Sequence, residues 1–270
     1  MGELRSALAT PQGKSRYVRR LFGTIADRYD FITVVLSCGM DRGWKRRLTR
    51  MAGEVSGARH LDLACGTGDI AVGLAARGAR TVGLDITPRM LEIAAKRSRR
   101  RGVRLMLVAG DMPALPFADS SFELVTAGYG FRNAPVLEAA VGEANRVLAP
   151  GGQLISLDFN RPENRILRAV YLVYLTIVGS LFGLLLHRDP DTYRYIAESI
   201  RRYPGADGLV RILRGVGFEQ VGWVKLLGGL MSIHHARRPI DEAHTAPSDP
   251  PCPGRRAEDP QAVTAGSRSM

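Results

Sequence analysis

The residues with the clearest chemistry in this chain form a glycine-rich turn at 60–69, which reads HLDLACGTGD. A short apolar run ends in an acidic residue, the turn follows, and a helical pattern begins directly after it. Gly66, Gly68 and Ala71 satisfy the spacing G-x-G-x-x-A, which marks a nucleotide-cofactor site when it joins a strand to a helix. A tight turn without a ligand has the same spacing, so the motif needs support from other residues.

Two carboxylates flank this turn and bear on which cofactor it binds. Asp62 precedes the glycines and Asp69 follows them. A dinucleotide places a doubly negative pyrophosphate on such a turn, and neighbouring carboxylates repel it. S-adenosylmethionine instead carries a cationic sulfonium and an ammonium group, which carboxylates attract. The residues therefore favour a methyl donor over NAD.

Further acidic residues end the next two predicted strands. Asp85 ends the second strand, 17 residues after Gly68, where a carboxylate accepts both ribose hydroxyls of a nucleoside. Either cofactor contains a ribose, so Asp85 supports a nucleoside ligand without selecting one. Asp111 ends the third strand, and with Met112 it is placed to bind an adenine amino group and pack against the ring. A surface turn is the alternative for Asp111.

The elements that position these residues alternate between strand and helix. Five strand–helix units of nearly uniform length precede residue 160, which predicts a doubly wound, mostly parallel sheet of the α/β class. Two more strand patterns, at 217–229 and 231–238, are joined by a glycine turn. They predict an antiparallel hairpin that brings the sheet to seven strands. Residues 17–50 predict N-terminal helices with a break near 37–39.

An apolar insertion at 160–203 separates the fifth strand from the hairpin. Residues 169–186, AVYLVYLTIVGSLFGLLL, contain no charged residue and reach the minimum length of a transmembrane helix. Both flanks belong to one domain, however, and Gly179 and Gly183 interrupt the run. A hydrophobic helical lid over an apolar substrate is the favoured interpretation. A membrane span and an ordinary buried helix are the alternatives.

The composition is that of a globular protein except for its charge. The 270 residues are 45% hydrophobic and carry a net charge of +12. Basic clusters at 16–20, 45–50 and 97–104 suggest attraction to anionic lipid or nucleic acid, although an arginine-rich coding bias produces the same excess. The three cysteines lack metal-ligand spacing, so we expect no metal and a reducing compartment.

The chain divides into one domain and two tails. We expect a flexible basic lead at 1–15, a domain at 16–238 and a disordered, proline-rich tail at 239–270. The lead lacks the apolar core of a secretory signal. A cytoplasmic location is therefore expected, with peripheral contact at the cytoplasmic face of the membrane as a further option.

Several separated motifs together indicate a family. In order they are RYDFITVVLSCGMDRGWK, LDLACGTGD, GDMPALPFADSSFE, GFRN, RVLAPGGQLISLDF, DTYRYIAESIRRYP and GGLMSIHHAR. Across residues 17–238 the chain resembles the C-methyltransferases of menaquinone and ubiquinone biosynthesis, which are class I S-adenosylmethionine-dependent methyltransferases with a Rossmann-like fold. The resemblance implies methyl transfer to a ring carbon of a prenylated quinol, most directly from demethylmenaquinol to menaquinol.

The motifs and the resemblance together predict two sets of site residues. The expected donor-binding residues are Asp62, Gly66, Thr67, Gly68, Asp85, Asp111, Met112 and Gly128. Gly128 stands where some relatives have serine, so one contact to the donor is expected to be missing. The residues that match positions facing the quinol ring, and are expected to act in catalysis, are Tyr29, Arg132 and Asn133. His234 also matches a family position, without an assigned role.

Simpler roles compete for the expected catalytic residues. Arg132 suits stabilisation of a phenolate, because arginine stays charged, while Asn133 and Tyr29 suit hydrogen bonds to a ring oxygen. A surface salt bridge is the alternative for Arg132. Packing and capping at a helix start are the alternative for Tyr29 and Asp30.

The chain departs from its relatives mainly on the substrate side. Residues 29–34 read YDFITV where relatives often have YDxMND, and 158–160 read DFN in place of EFS. Asp41 replaces a histidine that many relatives have. Methyl transfer is therefore better supported than the identity of the acceptor.

Other functions and partners follow from the same features. Another small apolar or aromatic metabolite is the nearest alternative acceptor, and the charge raises RNA as a second. An NAD-dependent oxidoreductase is the alternative from a different class. We expect a lipophilic quinol as substrate, contact with an anionic membrane, no nucleic-acid partner and, as one option, a homodimer.

Overall fold

One seven-stranded sheet supports the predicted site. In chain order its strands are β1 (Arg59–Leu63), β2 (Arg80–Asp85), β3 (Leu105–Ala109), β4 (Phe122–Gly128), β5 (Leu148–Phe159), β6 (Glu219–Leu226) and β7 (Met231–Arg237). They lie in the order β3-β2-β1-β4-β5-β7-β6. Strands β1 to β5 pair in parallel, and β7 is antiparallel to both β5 and β6. The predicted fold class is confirmed, including the hairpin.

Helices pack around this sheet. They are α1 (Pro11–Ile25), α2 (Tyr29–Leu36), α3 (Asp41–Met51), α4 (Asp69–Ala75), α5 (Pro88–Arg100), α6 (Leu137–Val147), α7 (Arg165–His187), α8 (Arg194–Arg202) and α9 (Gly205–Gly215). The computed structural model describes residue 4 and residues 7–162, 164–188 and 192–240. From residue 241 onward, the expected disordered tail lies outside the described residues.

The N-terminal helix begins earlier than the sequence analysis expected, because α1 starts at Pro11. Thr10 caps it, since the side-chain oxygen accepts a hydrogen bond from Gly13 N at 3.1 Å. A capping threonine followed by proline at the first helical position is a strong helix-start signal. The expectation of a flexible lead is therefore wrong for residues 11–15, which are helical.

The N-terminal helices share an apolar core with the insertion. Val18 and Leu21 of α1 and Ile32 of α2 pack with Tyr193 and Tyr195 at the start of α8. Both tyrosines are only 1% exposed. This packing holds the insertion against the N-terminal helices. The two segments thus share a small apolar core that is separate from the core around the sheet.

Helix α7 exposes most of its apolar surface. Its mean hydropathy reaches 2.2, and by length and composition alone it could cross a membrane, yet only 17% of its apolar window is buried. The buried side consists of Leu175, Gly179 and Gly183. A Cβ at Gly179 would lie 3.1 Å from Tyr193 Cβ, so α7 approaches the start of α8 closely. The alternative of an ordinary buried helix does not fit this exposure.

The glycine turn requires a left-handed residue at its end. Gly68 precedes α4 with φ of 84° and ψ of 21°, a conformation that residues with a side chain avoid. A Cβ at this position would also lie 3.0 Å from Ala94 Cβ in α5. The second glycine of the motif is thus needed both for the backbone conformation and for close helix packing.

Gly68→Ala is expected to lower the free energy of unfolding by about 1–3 kcal/mol, because alanine would be strained in this conformation and crowded by Ala94. Gly73→Ala is the matched control. Gly73 lies inside α4, its added Cβ would meet only Thr49 Cγ2 at 3.8 Å, and alanine is favoured over glycine in a helix by about 1 kcal/mol. Urea denaturation of both variants measures the difference, and equal stability would contradict the role of Gly68.

Candidate active site

A small cavity lies beyond the carboxyl ends of the central parallel strands, where open α/β sheets bind ligands. Five of the expected donor-binding residues line it: Gly66, Asp85, Asp111, Met112 and Gly128. The strand order reverses between β1 and β4, which brings these distant residues together. The cavity volume is about 50 Å³, and Ser15, Val18 and Phe22 of α1 form part of its wall.

Asp85 has the surroundings of a ribose-binding carboxylate. Its Oδ2 accepts a hydrogen bond from Gly66 N at 2.9 Å, and its Oδ1 accepts one from Thr87 N at 2.8 Å. Burial raises the pKa of the carboxyl, although both backbone hydrogen bonds oppose the shift. Each oxygen retains capacity for another donor, so Asp85 can accept a pair of hydroxyl groups.

Helix α1 is fastened over the small cavity by two consecutive side chains. Ser15 Oγ donates to Asp111 Oδ2 at 3.0 Å. Lys14 Nζ donates to Arg132 O at 3.1 Å and to Ala134 O at 2.6 Å. Burial, with the nearby Arg132, lowers the pKa of Lys14 to about 8. The carboxylate expected to bind adenine is therefore already in contact with the chain's own N-terminal helix.

Three of the expected donor-binding residues shape the turn and do not line the cavity: Asp62, Thr67 and Gly68. Asp62 accepts hydrogen bonds from Ala71 N at 3.1 Å and from Thr126 Oγ1 at 2.6 Å, which ties β1 to α4 and β4. Thr67 Oγ1 donates to Asp30 Oδ1 at 2.7 Å. In this arrangement Asp62 and Thr67 position the turn.

The small cavity suits S-adenosylmethionine better than a dinucleotide. Asp85 and Asp111 line it, and among its described lining residues there is no lysine or arginine. This charge favours a cationic ligand and offers a pyrophosphate no cationic partner. The cavity is smaller than the roughly 300 Å³ or more of small-molecule sites, so we expect α1 to move outward when the donor binds.

A larger, apolar cavity of about 340 Å³ adjoins the small one. Apolar side chains of α1, α2 and α7 dominate its wall, among them Leu21, Ile32, Leu36, Leu167 and Val170. Phe22, Tyr29 and Tyr129 line both cavities. Three aromatic residues thus form a shared wall, and an aromatic ring in the larger cavity would lie beside the donor site.

Arg132 lies in the wall of the larger cavity and is only 6% exposed. Its Nη1 donates to Asp158 Oδ1 at 3.0 Å and to Tyr129 O at 2.8 Å. Its Nε is buried, and the described residues offer this atom no hydrogen-bond partner. The alternative of a salt bridge is thus met in part, but the pair is buried, and Arg132 also borders the larger cavity.

Asn133 and Tyr29 occupy different positions at the site. The Asn133 amide is engaged within the protein, because Nδ2 donates to Tyr129 O at 2.9 Å and Oδ1 accepts from Tyr195 Oη at 3.0 Å. Asn133 lines the small cavity, so it is better placed to position Tyr129 than to meet the acceptor.

Tyr29 begins α2, where no side chain caps the helix, and burial raises the pKa of its hydroxyl.

Residues 10–238 match the profile of the ubiE/COQ5 methyltransferase family. This chain belongs to that family. The methyltransferase is 41% identical over 221 residues to the demethylmenaquinone methyltransferase of Thermus thermophilus, a match covering 81% of this chain and 100% of that protein. It is 36% identical over 230 residues to the ubiquinone/menaquinone biosynthesis C-methyltransferase UbiE of Shewanella pealeana, covering 82% of this chain and 90% of that protein.

Solved structures share the fold of this methyltransferase. The cyclase SpnF superposes with a TM-score of 0.63 at 19% identity, covering 84% of this chain and 97% of that one. A possible histamine N-methyltransferase from Thermotoga maritima gives a TM-score of 0.57 at 19% identity, covering 82% and 99%. At such identities the likeness shows the fold alone.

Family membership confirms the enzyme class and the cofactor expected from the sequence. The chain is an S-adenosylmethionine-dependent methyltransferase of the kind that acts in quinone biosynthesis, and the alternative of an NAD-dependent oxidoreductase is wrong. The relatives are biosynthetic enzymes with this fold, which indicates a cytoplasmic location.

The sequence analysis missed a buried polar cluster beside the larger cavity. Tyr129 Oη donates to Asp41 Oδ1 at 2.7 Å, and Lys45 Nζ lies 2.8 Å from Asp41 Oδ2. Asp41 is only 2% exposed. Tyr129 has φ of 61°, a conformation that is strained for a bulky residue. The aspartate in place of the family's histidine was the signal that pointed to this cluster.

Two other family positions have structural explanations. A Cβ at Gly128 would lie 2.5 Å from Ile70 Cδ1, so a serine there would require Ile70 to change rotamer.

His234 lines neither cavity. Its Nε2 donates to Ala206 O at 3.1 Å, and burial lowers its pKa to about 4. A neutral, buried His234 thus links β7 to α9.

The free energy of unfolding is expected to fall as pH rises from about 4 to about 7, because burial raises the pKa of Asp62 from 3.8 to about 7. Within this window the folded protein keeps a proton that the unfolded chain has released. Each pH unit therefore disfavours the folded state by up to about 1.4 kcal/mol. Asp62→Asn removes this titration, so urea denaturation of both proteins across the window measures it. A constant difference between them would show that folded Asp62 is already ionised.

Proposed function

We propose that this methyltransferase transfers the methyl group of S-adenosylmethionine to a ring carbon of a prenylated quinol, most directly from demethylmenaquinol to menaquinol. The observation that carries the proposal is the shared wall of Phe22, Tyr29 and Tyr129 between the small acidic cavity and the large apolar cavity. A donor on one side and an apolar ring on the other would be adjacent. The names of the relatives supply the class of acceptor.

The donor would be held by residues of the small cavity. Asp85 would accept the ribose hydroxyls and Asp111 the adenine amino group, after release of Ser15, while Met112 would pack against the ring. When bound, S-adenosylmethionine supplies an electrophilic methyl group on a cationic sulfur. Tyr129 and Asn133 lie in the wall of this cavity. Their hydrogen bond fixes the position of Tyr129, and Tyr129 in turn positions the acceptor ring relative to the donor.

The acceptor carbon becomes nucleophilic when a neighbouring ring hydroxyl loses its proton. Arg132, in the wall of the larger cavity, stabilises the resulting phenolate through its guanidinium charge. Tyr129 Oη can accept the hydroxyl proton while it passes its own proton to Asp41 Oδ1, 2.7 Å away. Lys45 stabilises the cluster from the other side of Asp41. Charge at the reacting ring is thus balanced by groups fixed before the reaction.

The apolar wall favours a lipophilic acceptor over RNA. Side chains such as Ile32, Leu36 and Val170 would leave phosphates and ribose hydroxyls without partners. The larger cavity, at about 340 Å³, has room for a ring and the first part of a prenyl tail. A small apolar aromatic without a tail would also fit this volume and is the second candidate.

The test uses purified enzyme, isotopically labelled S-adenosylmethionine and reduced quinols. Demethylmenaquinol and a tail-less analogue with the same ring are compared at matched concentrations, and the labelled product is identified by mass spectrometry. We expect label on a ring carbon and a specificity constant at least about tenfold higher for the prenylated quinol, from the apolar area that its tail buries. Equal activity on the tail-less ring favours the second candidate, and label on neither acceptor contradicts the proposal.

A further inference from the structure

The outward side of α7 carries a continuous apolar ridge. Its members are Ile166, Val170, Val173, Ile177, Leu181 and Leu184, each between 52% and 77% exposed. Steps of three and four residues place them on one face of the helix. A surface helix normally directs such a face toward the core. Helix α7 instead exposes an apolar face to solvent.

Phe31 continues the ridge onto α2. Its side chain is 56% exposed, and its ring packs edge-on against Phe182 of α7 with the centroids 6.5 Å apart. The apolar surface thus extends across two helices. A contiguous exposed patch of this kind marks contact with a membrane or another macromolecule.

Positive charge borders this patch. Phe31 shares a surface depression with five basic residues and three acidic ones: Arg42, Lys45, Arg46, Arg97, Arg101, Asp30, Asp41 and Asp69. Exposed Arg165 and Arg188 stand at the two ends of α7. Apolar side chains flanked by arginine are typical of segments that lie in the interface of an anionic bilayer. Charge therefore favours a lipid surface over a second copy of this basic chain.

The larger cavity opens at the same ridge. Leu167 and Val170 line the cavity and are also 37% and 62% exposed. Leu227, likewise in the cavity wall, is 44% exposed. Exposed apolar side chains thus line part of the cavity, and one of them, Val170, is a member of the ridge.

We propose that the α7 ridge and Phe31 insert into the interfacial layer of an anionic lipid bilayer, and that the acceptor passes from the hydrocarbon into the cavity between Leu167 and Val170. The route of the acceptor rests on the proposed function, whereas the binding of lipid does not. A prenylated molecule dissolved in the bilayer would then reach the ring-binding wall without exposing its tail to water.

The packing of α7 favours this shallow insertion over a membrane span. Its buried side, with Leu175 and Gly179, packs on the rest of the domain, and α3, β5 and α8 on either side of it in the chain belong to the same compact unit. A span would have to strip this side from the domain. Insertion of the outward side alone leaves the packing intact.

The test is flotation of the full-length protein with lipid vesicles, in the absence of donor and acceptor. We expect binding to phosphatidylcholine mixed with phosphatidylglycerol, and weaker binding to phosphatidylcholine alone or at high salt. Ile177→Glu/Leu181→Glu should lower the partition coefficient about tenfold or more. Met106→Glu/Ile240→Glu adds the same charge at residues 64% and 67% exposed outside the ridge, and it should bind as the wild type does.

Folding and function are followed in the same variants. Neither Ile177 nor Leu181 lines a cavity, and glutamate is a good helix former, so circular dichroism should be unchanged. The ridge variant should methylate a detergent-solubilised quinol normally but a vesicle-embedded quinol at least about tenfold more slowly. This contrast separates loss of membrane contact from loss of catalysis.

Several outcomes would overturn the proposal. One is wild-type protein that fails to float with any vesicle, and another is equal flotation of all three proteins. Size-exclusion chromatography supplies a third: a wild-type dimer that the ridge variant converts to monomer, with unchanged flotation, would make the ridge a self-association surface. Flotation without any methyl transfer would support the membrane-binding surface and contradict the proposed function instead.

Discussion

Arg132→Lys is expected to lower the turnover number about 100- to 1000-fold while leaving the affinity for the methyl donor nearly unchanged. Lysine keeps a positive charge near Asp158 but lacks the planar fork and the Nε donor of arginine. The phenolate charge that Arg132 would stabilise grows as the ring is activated. Its loss therefore falls on the turnover number more than on binding. Steady-state kinetics with a prenylated quinol, together with calorimetric titration of S-adenosylhomocysteine, measures both quantities.

Two comparisons separate catalysis by Arg132 from its contribution to stability. Arg132→Ala would leave Asp158 buried without a cationic partner, which costs about 3–5 kcal/mol of folding free energy, so the lysine variant is the informative one. Arg59→Lys makes the same exchange in an exposed pair with Glu123 and should retain wild-type turnover. Wild-type turnover in Arg132→Lys would restrict Arg132 to its ion pair.

Asp85→Asn is expected to weaken donor binding about 10- to 100-fold, because a hydrogen bond to a charged group contributes about 1.5–3 kcal/mol. The amide also has only one oxygen for Gly66 N and Thr87 N, which the carboxylate serves with two. Isothermal titration with S-adenosylhomocysteine measures the dissociation constant without catalysis. Asp119→Asn removes a carboxyl whose side chain is 74% exposed and should leave the constant unchanged.

The pH dependence of donor binding provides a second test of the role of Asp85. Because burial raises its pKa, protonation should weaken donor binding at a higher pH than for an ordinary aspartate. Affinity of the wild type should therefore rise as the pH increases through the acidic range, and that of Asp85→Asn should rise less. An unchanged dissociation constant in the variant would mean that the ribose lies elsewhere.

The clustering of expected donor-binding residues at one cavity was predictable because it depends on local sequence and on one topological rule. Asp85 and Asp111 each follow a strand, and parallel strands bring their carboxyl ends to one edge. Gly68 needs a left-handed backbone, which its place between a turn and a helix already indicates. The helix start at Thr10 and Pro11 was readable in the same local way, although the sequence analysis assigned these residues to a flexible lead.

The acceptor side was less predictable because its contacts join residues far apart in the chain. Tyr129 and Asp41 form a hydrogen bond although they are 88 positions apart in the chain. Neither residue type indicates this contact in the sequence. Asn133 looked suited to the acceptor, yet its amide is engaged by Tyr129 and Tyr195. The apolar run at 169–186 indicated a helix, although α7 extends from Arg165 to His187. Periodicity alone cannot tell which side of a uniformly apolar helix meets the domain.

The fastening of α1 has a kinetic consequence for the donor. Ser15 occupies the carboxylate of Asp111, and Lys14 fixes the helix to the loop after β4. Since the small cavity holds only about 50 Å³, we expect donor binding to follow detachment of α1. In rapid mixing, the observed association rate should reach a plateau set by this opening, and the apparent affinity is reduced by the fraction of molecules that are closed. We therefore expect the N-terminal helix to compete with the donor for Asp111 and to slow product release.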